Sequence, residues 1–358
     1  MRIIGIKSRI HDYEVVFGKF SYFLDKIIRQ EGKLACYIID KKVWGLYKDT
    51  YFKRLDASEV VLIKADEFNK TLKAVIGLYD VLIERSAKRN IVLVSIGGGI
   101  VQDVSGFLAS TIYRGVKWIY VPTTLLAQAD SCIGGKTSLN YKDYKNLIGT
   151  FYPPSHIIID VNFIYTLKEL DFYSGIGEIV KLHIMGGNRY LKLISGLLSG
   201  IMAKRKGSLL KAIYNSLLIK KGYIEKDEFD GGRRNLLNYG HCFGHALETA
   251  SNFKIPHGQA VVIGVMLANI VSKKRKLLSL GLESKLFNEL LLPILFVKSK
   301  RYLLREECII SSMKKDKKRV GLKLPLIIIN DLLVAKKVVD LDEEEVKSSL
   351  RELSYRIK

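Results

Sequence analysis

The sequence is short of cysteines, of acidic side chains and of long apolar runs. Its 358 residues include 4 cysteines, widely spaced and without a CxxC pair, which excludes a disulfide framework and suits a reducing compartment. No apolar run reaches the roughly 18 residues that a membrane-spanning helix needs, and the charges scattered through the first residues are not those of a secretory signal. We therefore expect a cytoplasmic protein with no membrane partner.

Acidic residues number 36 against 58 lysines and arginines, so the net charge is +22. A surplus of this kind attracts phosphates, either in nucleic acids or in small molecules. The basic residues are dispersed, with short clusters only at 273–276 and 314–319, and no helix-turn-helix or RNA-binding signature accompanies them. We interpret the charge as a solvated surface around a site for an anionic small molecule and expect no nucleic-acid partner. The alternative is a nucleic-acid-binding protein on a degenerate enzyme fold.

The apolar pattern changes in character along the chain. A hydrophobic content of 48% indicates an ordered globular protein, and the length suggests two domains. Before residue 158 strands alternate with helices, which is typical of an α/β domain with a parallel sheet, whereas residues 159–358 are mostly helical in pattern. The runs predict strands at 33–40, 60–64, 91–96, 118–121, 156–160 and 324–329, and helices at 71–87, 105–113, 209–224, 259–271 and 340–358.

Three glycines, Gly97 to Gly99, join the third predicted strand to a helix. A glycine turn at this place lets backbone N–H groups approach a pyrophosphate, and the helix N-terminus favours its negative charge. The pattern reads GGGxxxD, which differs from the GxGxxG fingerprint of dinucleotide-binding folds, and a tight turn that needs positive φ is the alternative. The loop at 122–149 is rich in Gly, Thr, Asp and Lys, the composition with which α/β folds bind ligands at strand ends.

The stretch 234–257 holds three of the six histidines. His241 and His245 are four residues apart, so on a helix their imidazoles share one face, and Arg234 and Asn238 fall on the same four-residue step. Zinc or a similar ion binds neutral imidazoles together with a carboxylate. This pattern alone points to a metal or active site with His241 and His245 as the paired ligands. Satisfied polar side chains on a packed helix are the alternative.

Six motifs occur in order along the chain: GGGIVQDVSGFLAS (97–110), PTTLLAQADSCIGGKTSLN (122–140), KNLIGTFYPP (145–154), SGIGEIVK (174–181), RNLLNYGHCFGHALE (234–248) and HGQAV (257–261). Together they resemble the 3-dehydroquinate synthase family of the shikimate pathway, over nearly the whole chain. The resemblance implies a Rossmann-like NAD-binding α/β domain at 1–158 and a mostly α-helical domain at 159–358 that binds metal and substrate.

The family binds zinc through one glutamate and two histidines, and the matching positions here are Glu178, His241 and His257. Cobalt is an alternative ion. The resemblance replaces the pair read from helical spacing, because family members place the residue that matches His245 against the substrate. A glutamate from a separate helix also completes a three-ligand catalytic site with a position left open for substrate oxygens.

The resemblance also implies a nucleotide site. A carboxylate at the end of a strand, here Asp40, accepts hydrogen bonds from ribose hydroxyls and repels a 2′-phosphate, which favours NAD over NADP. Lys42 departs from the asparagine that the family usually has two residues after this aspartate. The implied NAD contacts are Asp40, Glu67, Lys70, Gly98, Gly99, Asp103, Thr123, Thr124, Lys145 and Thr166.

The implied reaction converts 3-deoxy-arabino-heptulosonate 7-phosphate to 3-dehydroquinate and phosphate, through oxidation, phosphate elimination, reduction and an intramolecular aldol step. NAD is therefore not consumed. Lys and Arg side chains are needed for a substrate that carries a phosphate and a carboxylate. The implied catalytic residues are Asp130, Lys181, Asn238 and His245. The implied substrate contacts are Lys136 and Asn146 for the phosphate, with Arg114 from the neighbouring subunit of a homodimer, Lys220 and Arg234 for the carboxylate, and Lys317.

A related sugar-phosphate cyclase of secondary metabolism is the alternative within the same superfamily. Its substrates lack a carboxylate and have no use for Lys220 together with Arg234, so the presence of both favours dehydroquinate. Two further departures from the family are Gln259, where a glutamate is common, and Cys242, where a threonine is common. We expect these two to alter packing near the site without loss of activity.

Overall fold

The computed structural model describes residues 2–142, 144–297, 300–303, 305–314 and 324–357. Contacts divide the chain into two compact units, Met1–Thr166 and Leu167–Lys358. None of the described helices combines the length and the apolar composition that crossing a bilayer requires.

The described strands of the first unit form one seven-stranded sheet and a separate hairpin. The order in the sheet is β1-β2-β9-β6-β5-β3-β4, and every neighbouring pair is parallel except β1 with β2. The hairpin is β7 with β8, and the second unit contains the antiparallel pair β10 with β11. The strands are β1 Arg2–Ile6, β2 Tyr13–Phe17, β3 Ala35–Asp40, β4 Val60–Ile63, β5 Val92–Gly97, β6 Lys117–Pro122, β7 Lys136–Tyr141, β8 Tyr144–Phe151, β9 His156–Ile159, β10 Leu324–Ile329 and β11 Ala335–Leu341.

Helices lie between the strands of the first unit and make up most of the second, which confirms the predicted fold class. Those of the first unit are α1 Phe20–Glu31, α2 Lys41–Tyr47, α3 Leu72–Glu84 and α4 Gly99–Thr111. Those of the second are α5 Glu169–Met185, α6 Asn188–Met202, α7 Lys206–Ile224, α8 His241–Ala250, α9 His257–Lys274, α10 Leu280–Lys285, α11 Lys300–Leu303, α12 Glu306–Lys314 and α13 Glu343–Arg356.

The central strands of the sheet are buried along their whole length. Every residue of β5 is buried, as is β3 apart from its last residue, Asp40. A parallel strand covered on both faces loses the usual alternation of apolar and polar residues, which is why these runs could be read from the sequence. Aromatic side chains close the core beneath the sheet, where the rings of Phe20 and Phe163 have centroids 5.7 Å apart.

Several pairings involve strands that the sequence did not predict, namely β1, β2, β7, β8 and β11. The N-terminal strands β1 and β2 form an antiparallel ladder at the edge of the sheet, and β9 pairs with both β2 and β6. Pairing through β9 keeps residues 156–159 within the first unit. Most of the β7–β8 hairpin lies in the segment 122–149, which was predicted as a loop. The hairpin is largely exposed and therefore rich in polar residues, so the sequence shows no apolar run typical of a strand.

Candidate active site

Helices α5 and α9 of the second unit cross in close backbone contact. A Cβ on Gly177 would lie 2.5 Å from the carbonyl oxygen of Gly258, and a Cβ on Gly258 would lie 1.9 Å from the carbonyl oxygen of Ser174. The Ser174 hydroxyl accepts a hydrogen bond of 2.9 Å from the Gly258 amide. Only glycine fits at such a crossing. It brings the middle of α5 beside the first turn of α9, where Glu178 and His257 lie.

Glu178, His241 and His257 present their donor atoms to one point. Oε1 of Glu178 lies 3.3 Å from Nε2 of His257 and 3.6 Å from Nε2 of His241, and one donor atom from each of the three residues lies within 4.8 Å of the others. Bonds of about 2.0–2.2 Å from a tetrahedral zinc ion place its ligand atoms roughly 3.4 Å apart. The three side chains therefore fit one divalent ion, and a tetrahedral ion would keep one position open.

His245 belongs to the same cluster of rings. Its centroid lies 5.4 Å from that of His241 and 5.8 Å from that of His257, and its side chain is exposed where the other two are partly buried. Lys181, on α5 one turn after Glu178, is almost fully buried and places Nζ 2.6 Å from Glu178 Oε2. Glu178 and Lys181 are three residues apart, which places both side chains on one face of α5.

The charges of this cluster shift the pKa values of its members. Burial would raise the pKa of Glu178, but Lys181 and His257 hold that pKa well below its usual range. Burial, with the charges of Lys181, His257 and His245, lowers the pKa of His241 well below 6.5, so its imidazole is neutral as a metal ligand must be. Burial also acts to lower the pKa of His257, but hydrogen bonds to Glu178 and Glu248 outweigh it and raise the pKa to about 10. A metal ion and a proton therefore compete for His257 Nε2.

The stripe predicted from Arg234 to His245 is interrupted, and the prediction of one helical face was wrong. Arg234 and Asn238 lie in a separate 3₁₀-helix. The segment ends at Asn238, where Tyr239 leaves the helical conformation, and Gly240, with φ of 80°, precedes α8, which begins only at His241. A count of four-residue steps cannot register such a break.

Arg234 is nevertheless buried within the second unit. Its backbone amide donates to Asp227 Oδ2 at 2.8 Å, and its guanidinium donates to the carbonyl oxygen of Glu228. Lys220 is buried on α7, a helix that packs against both α5 and the 3₁₀ segment. Asn238 turns its side-chain amide to the carbonyl oxygen of Asn235 at 2.9 Å. The predicted substrate contact Lys317 lies outside the described residues.

In the first unit, the predicted nucleotide residues lie at the carboxyl ends of neighbouring parallel strands. Gly97 pairs with Pro122, so the glycine turn after β5 lies beside the threonine pair after β6, where the Thr123 amide donates to the Gly97 carbonyl at 3.0 Å. Asp40 ends the next strand, β3, where its carboxylate caps α2 by accepting from the Lys42 amide at 2.9 Å, and burial raises its pKa. Such an edge is where open α/β sheets bind ligands. Gly98, Gly99, Thr123 and Thr124 are placed there together with Asp40.

A second group of predicted residues meets at Lys70. Its ammonium lies 2.5 Å from Asp103 Oδ2 and donates to Asn146 Oδ1 at 2.7 Å. Burial raises the pKa of Asp103, and Lys70 opposes that shift. Asn146 has φ of 51°, a conformation that asparagine tolerates better than most residues. A predicted NAD contact and a predicted phosphate contact thus share one hydrogen-bond network.

Sequence reasoning missed Asn140, which joins the two ends of this network. Its side-chain amide donates to Glu67 Oε2 at 2.8 Å, and its Oδ1 accepts from the Asn146 amide at 3.0 Å. Its own backbone amide donates to the Lys70 carbonyl at 2.8 Å. In the sequence Asn140 is one of several polar residues in the segment 130–149. Only the structure of the β7–β8 hairpin shows that it contacts both Glu67 and Asn146.

The other predicted residues of the first unit are exposed or half-buried, on turns or on the strands of the hairpin. Asp130 is half-buried in a π-helical turn, a feature often found at functional sites, and Lys136 is exposed at the start of β7. Lys145 is half-buried on β8, whereas Thr166 accepts or donates a hydrogen bond of 2.8 Å with the Tyr47 hydroxyl. Arg114 is exposed on a turn where Tyr113, Arg114 and Gly115 all have positive φ.

Gln259, one of the departures from the family pattern, is fully buried two residues after His257. Its side-chain nitrogen donates to the carbonyl oxygens of Tyr173 and Ile294, both at 3.1 Å, and its side-chain oxygen accepts from the Phe296 amide at 2.7 Å. The amide therefore ties α9 to the first part of α5 and to the 3₁₀ turn Leu292–Ile294 and the residues that follow it. A glutamate could satisfy the Phe296 amide but has no hydrogen for the two carbonyls when ionised.

We predict that Gln259→Glu destabilises the second unit. Two buried carbonyls lose their donors, and each unsatisfied buried group costs about 1–3 kcal/mol. The free energy of unfolding from urea titration should fall by at least about 2 kcal/mol. The matched control is Gln30→Glu, the same chemical change at an exposed position of α1. Equal stability of the two variants would contradict the role given to this amide.

Comparison with known proteins shows the family to which both units of the chain are similar. Residues 60–174 match the family described as 3-dehydroquinate synthase N-terminal, and residues 175–319 match 3-dehydroquinate synthase C-terminal. A protein of Clostridium tetani named 3-dehydroquinate synthase is 37% identical over 338 residues, which are 93% of this chain and 89% of that protein. One of Pelagibacter ubique with the same name is 40% identical over 339 residues, 91% of each chain.

Solved structures of related cyclases share the fold. A 2-epi-5-epi-valiolone synthase from Streptomyces hygroscopicus, with NAD+ and Zn2+ bound, has a TM-score of 0.84 at 22% identity and covers 99% of this chain and 100% of its own. A 2-deoxy-scyllo-inosose synthase complexed with carbaglucose-6-phosphate, NAD+ and Co2+ has a TM-score of 0.86 at 24% identity, covering 98% and 100%. At these identities the likeness concerns the fold alone.

Proposed function

The chain belongs to the 3-dehydroquinate synthase family, and on that premise we propose that it converts 3-deoxy-arabino-heptulosonate 7-phosphate to 3-dehydroquinate and phosphate. The spacing of the donor atoms of Glu178, His241 and His257 carries this proposal most directly, since it fits one divalent ion inside the part of the chain that matches the family's C-terminal region. Zinc is the proposed ion, with cobalt as a substitute, and NAD is the proposed cofactor.

When bound, the metal ion would polarise a substrate hydroxyl, and NAD would take a hydride from its carbon and later return it. Glu178, His241 and His257 would hold the metal. His245 would move a proton at a substrate oxygen, which is supported by its exposed position beside the ligand rings. Lys181 keeps Glu178 ionised and contributes its buried positive charge to an anionic substrate. Asn238 and Asp130 complete the proposed catalytic group.

The substrate carries a carboxylate and a phosphate, and we assign separate basic residues to each. Arg234 and Lys220, both buried in the second unit, would bind the carboxylate, because a charge-assisted bond is strongest where water is excluded. Lys136 and Asn146 would bind the phosphate, together with Arg114 of a neighbouring subunit. Lys317 is a further proposed substrate contact.

The first unit is proposed to bind NAD. Support comes from the carboxyl ends of β3, β5 and β6, which place the Asp40 carboxylate, the glycine turn and the threonine pair at one sheet edge. The proposed contacts are those predicted from the sequence: Asp40, Glu67, Lys70, Gly98, Gly99, Asp103, Thr123, Thr124, Lys145 and Thr166.

We also propose a cytoplasmic homodimer. The exposed Arg114 supports it, because three successive residues with positive φ hold this side chain on a turn, and strain of this kind is found at functional positions. The four cysteines are free, as expected in a reducing compartment.

The proposed function is tested by assaying the purified protein with the heptulosonate phosphate, with and without NAD and a chelator. We expect phosphate and dehydroquinate to form in equal amounts, and both to cease when the metal is removed and to resume when zinc is restored. NADH should not accumulate, because the same carbon is oxidised and then reduced. Accumulation of one NADH for each substrate molecule oxidised, without dehydroquinate, would indicate an ordinary dehydrogenase instead.

The related cyclase structures make a sugar-phosphate cyclase of another pathway the second candidate. Its substrates would lack the carboxylate assigned to Arg234 and Lys220. A parallel assay with glucose 6-phosphate, a carboxylate-free sugar phosphate, separates the two. Phosphate release from glucose 6-phosphate but not from the heptulosonate phosphate would favour the second candidate.

A further inference from the structure

The imidazole of His257 is held at both of its nitrogens. Nε2 lies 3.3 Å from Glu178 Oε1, on the side of the proposed metal ion, and Nδ1 lies 3.2 Å from Oε2 of Glu248. Glu248 is on α8, three residues after His245, and its side chain is 14% exposed. No function was assigned to it from the sequence.

Histidine binds a metal through one nitrogen only when the lone pair of that nitrogen is free. A hydrogen bond donated from Nδ1 to an acceptor keeps the proton on Nδ1, leaves Nε2 for the metal and fixes the plane of the ring. For His241 the acceptor is the backbone carbonyl of Tyr239, 3.3 Å from Nδ1. For His257 it is a carboxylate, which also makes the ring a stronger donor to a cation.

The backbone around Glu248 sets the distance between its carboxylate and His257. The Glu248 carbonyl accepts from the Phe253 amide at 2.8 Å and from the Ser251 hydroxyl at 3.0 Å, which closes the turn after α8. The Ser251 hydroxyl in turn accepts from the Ile255 amide at 3.2 Å, two residues before His257. These hydrogen bonds fix the short connection between α8 and α9. The connection brings His257, at the start of α9, next to the Glu248 side chain on α8.

We propose that Glu248 is a positioning residue that orients His257 and strengthens its bond to the divalent ion. This inference rests on the metal ligands of the proposed function but does not depend on the identity of the substrate. The competing interpretation is that Glu248 is itself a ligand, since donor atoms of His245, Glu248 and His257 also lie within 4.8 Å of one another. That arrangement would bind a second ion per chain.

The two interpretations predict different stoichiometries and affinities, which can be measured on the full chain without substrate. Zinc content is measured by elemental analysis, and the Kd for zinc by competition with a chelator, for the native protein and for Glu248→Gln and Glu248→Ala. We expect one zinc per chain throughout and a Kd raised about 10- to 100-fold in Glu248→Ala. Glu248→Gln should lie between, because its amide oxygen still accepts a hydrogen bond from Nδ1 but carries no charge.

Two further measurements separate positioning from a general structural role. The cobalt-substituted protein should keep the number of its ligands in Glu248→Gln, seen as an absorption band of similar intensity. The metal-free variants should keep a cooperative melting transition, at a lower temperature than the metal-free native protein because the ion pair between Glu248 and His257 is lost. The matched control is Thr249→Ala, which removes the neighbouring hydroxyl bonded to the His245 carbonyl and should bind zinc as the native chain does.

Unchanged zinc affinity in a folded Glu248→Ala protein would overturn the proposal. So would two zinc ions in the native chain that fall to one in both Glu248 variants, because Glu248 would then be a ligand. If zinc is instead retained when His257 itself is replaced, the proposed ligand set fails, which is a separate result from failure of the positioning role.

Discussion

Replacement of His257 by alanine is expected to leave the protein unable to retain zinc. The ring supplies one of three protein donors, and its Nε2 is 3.3 Å from the Glu178 oxygen that would share the ion. Zinc-finger peptides bind their ion with about 10–16 kcal/mol through four ligands. One ligand therefore accounts for roughly 3 kcal/mol, or at least about a hundredfold in Kd. Elemental analysis after dialysis should find little zinc, and phosphate release should fall with it.

The informative control is His245→Ala, which removes a ring of the same cluster. Helical spacing in the sequence pairs His241 with His245, whereas the geometry pairs His241 and His257 with Glu178. We expect His245→Ala to keep its zinc. It should lose activity, because the side chain proposed to transfer a proton is absent. Full zinc occupancy in His257→Ala, with zinc lost in His245→Ala, would reverse the assignment.

Arg234→Lys is expected to lose about ten- to a hundredfold in kcat/KM for the heptulosonate phosphate, since a charge-assisted hydrogen bond contributes roughly 1.5–3 kcal/mol. Lysine keeps the charge but cannot make the planar two-point contact that a guanidinium makes with a carboxylate. Arg234 is only 4% exposed, so little water screens the interaction. Inhibition by a phosphonate analogue without the carboxylate should hardly change.

The contact from Arg234 to the Glu228 carbonyl raises the competing interpretation that this guanidinium only braces the chain before α8. Bracing would weaken both ligands alike, or neither, and would lower the melting temperature. The neighbouring Arg233 provides a matched control, because it is exposed and lies over the Tyr223 ring at 5.7 Å. Arg233→Lys should leave kcat/KM near the native value. Equal weakening of the two ligands in Arg234→Lys would assign Arg234 to the scaffold.

Much of the first unit could be predicted because its signals are local. Buried parallel strands are continuous apolar runs, so β3, β5 and β6 stand out in the sequence, and Gly97 to Gly99 mark the turn between β5 and α4. The ladder of β1 with β2 and the β7–β8 hairpin were not predicted. The strands β1, β7 and β8 are partly exposed, and the hydrogen bonds of all four strands join segments whose pairing no local pattern reports.

The residue types of the second unit indicated what kind of site it contains. They did not indicate how the side chains of that site are arranged. Three histidines with an arginine and an asparagine in the stretch 234–257 indicated a metal or active site, because zinc binds neutral imidazoles, and the resemblance added the glutamate. Counting residues paired His241 with His245, where the resemblance pairs His241 with His257, and it drew one helix across residues 239–240, where the 3₁₀ segment has ended and α8 has not begun. The resemblance to a family, not the spacing, named His257.

By itself the sequence determined the class of the fold, the family and the kinds of side chain at the site, because composition, hydrophobic period and motif are properties of the chain alone. Tertiary structure decided which donors meet. The close crossing of α5 and α9 at Gly177 and Gly258 places Glu178 beside His257. The hydrogen-bonded turn after α8 places Glu248 next to Nδ1 of the same histidine. Residues far apart along the chain become neighbours only through packing, and distances of 3.3 and 3.6 Å between donor atoms are set by that packing.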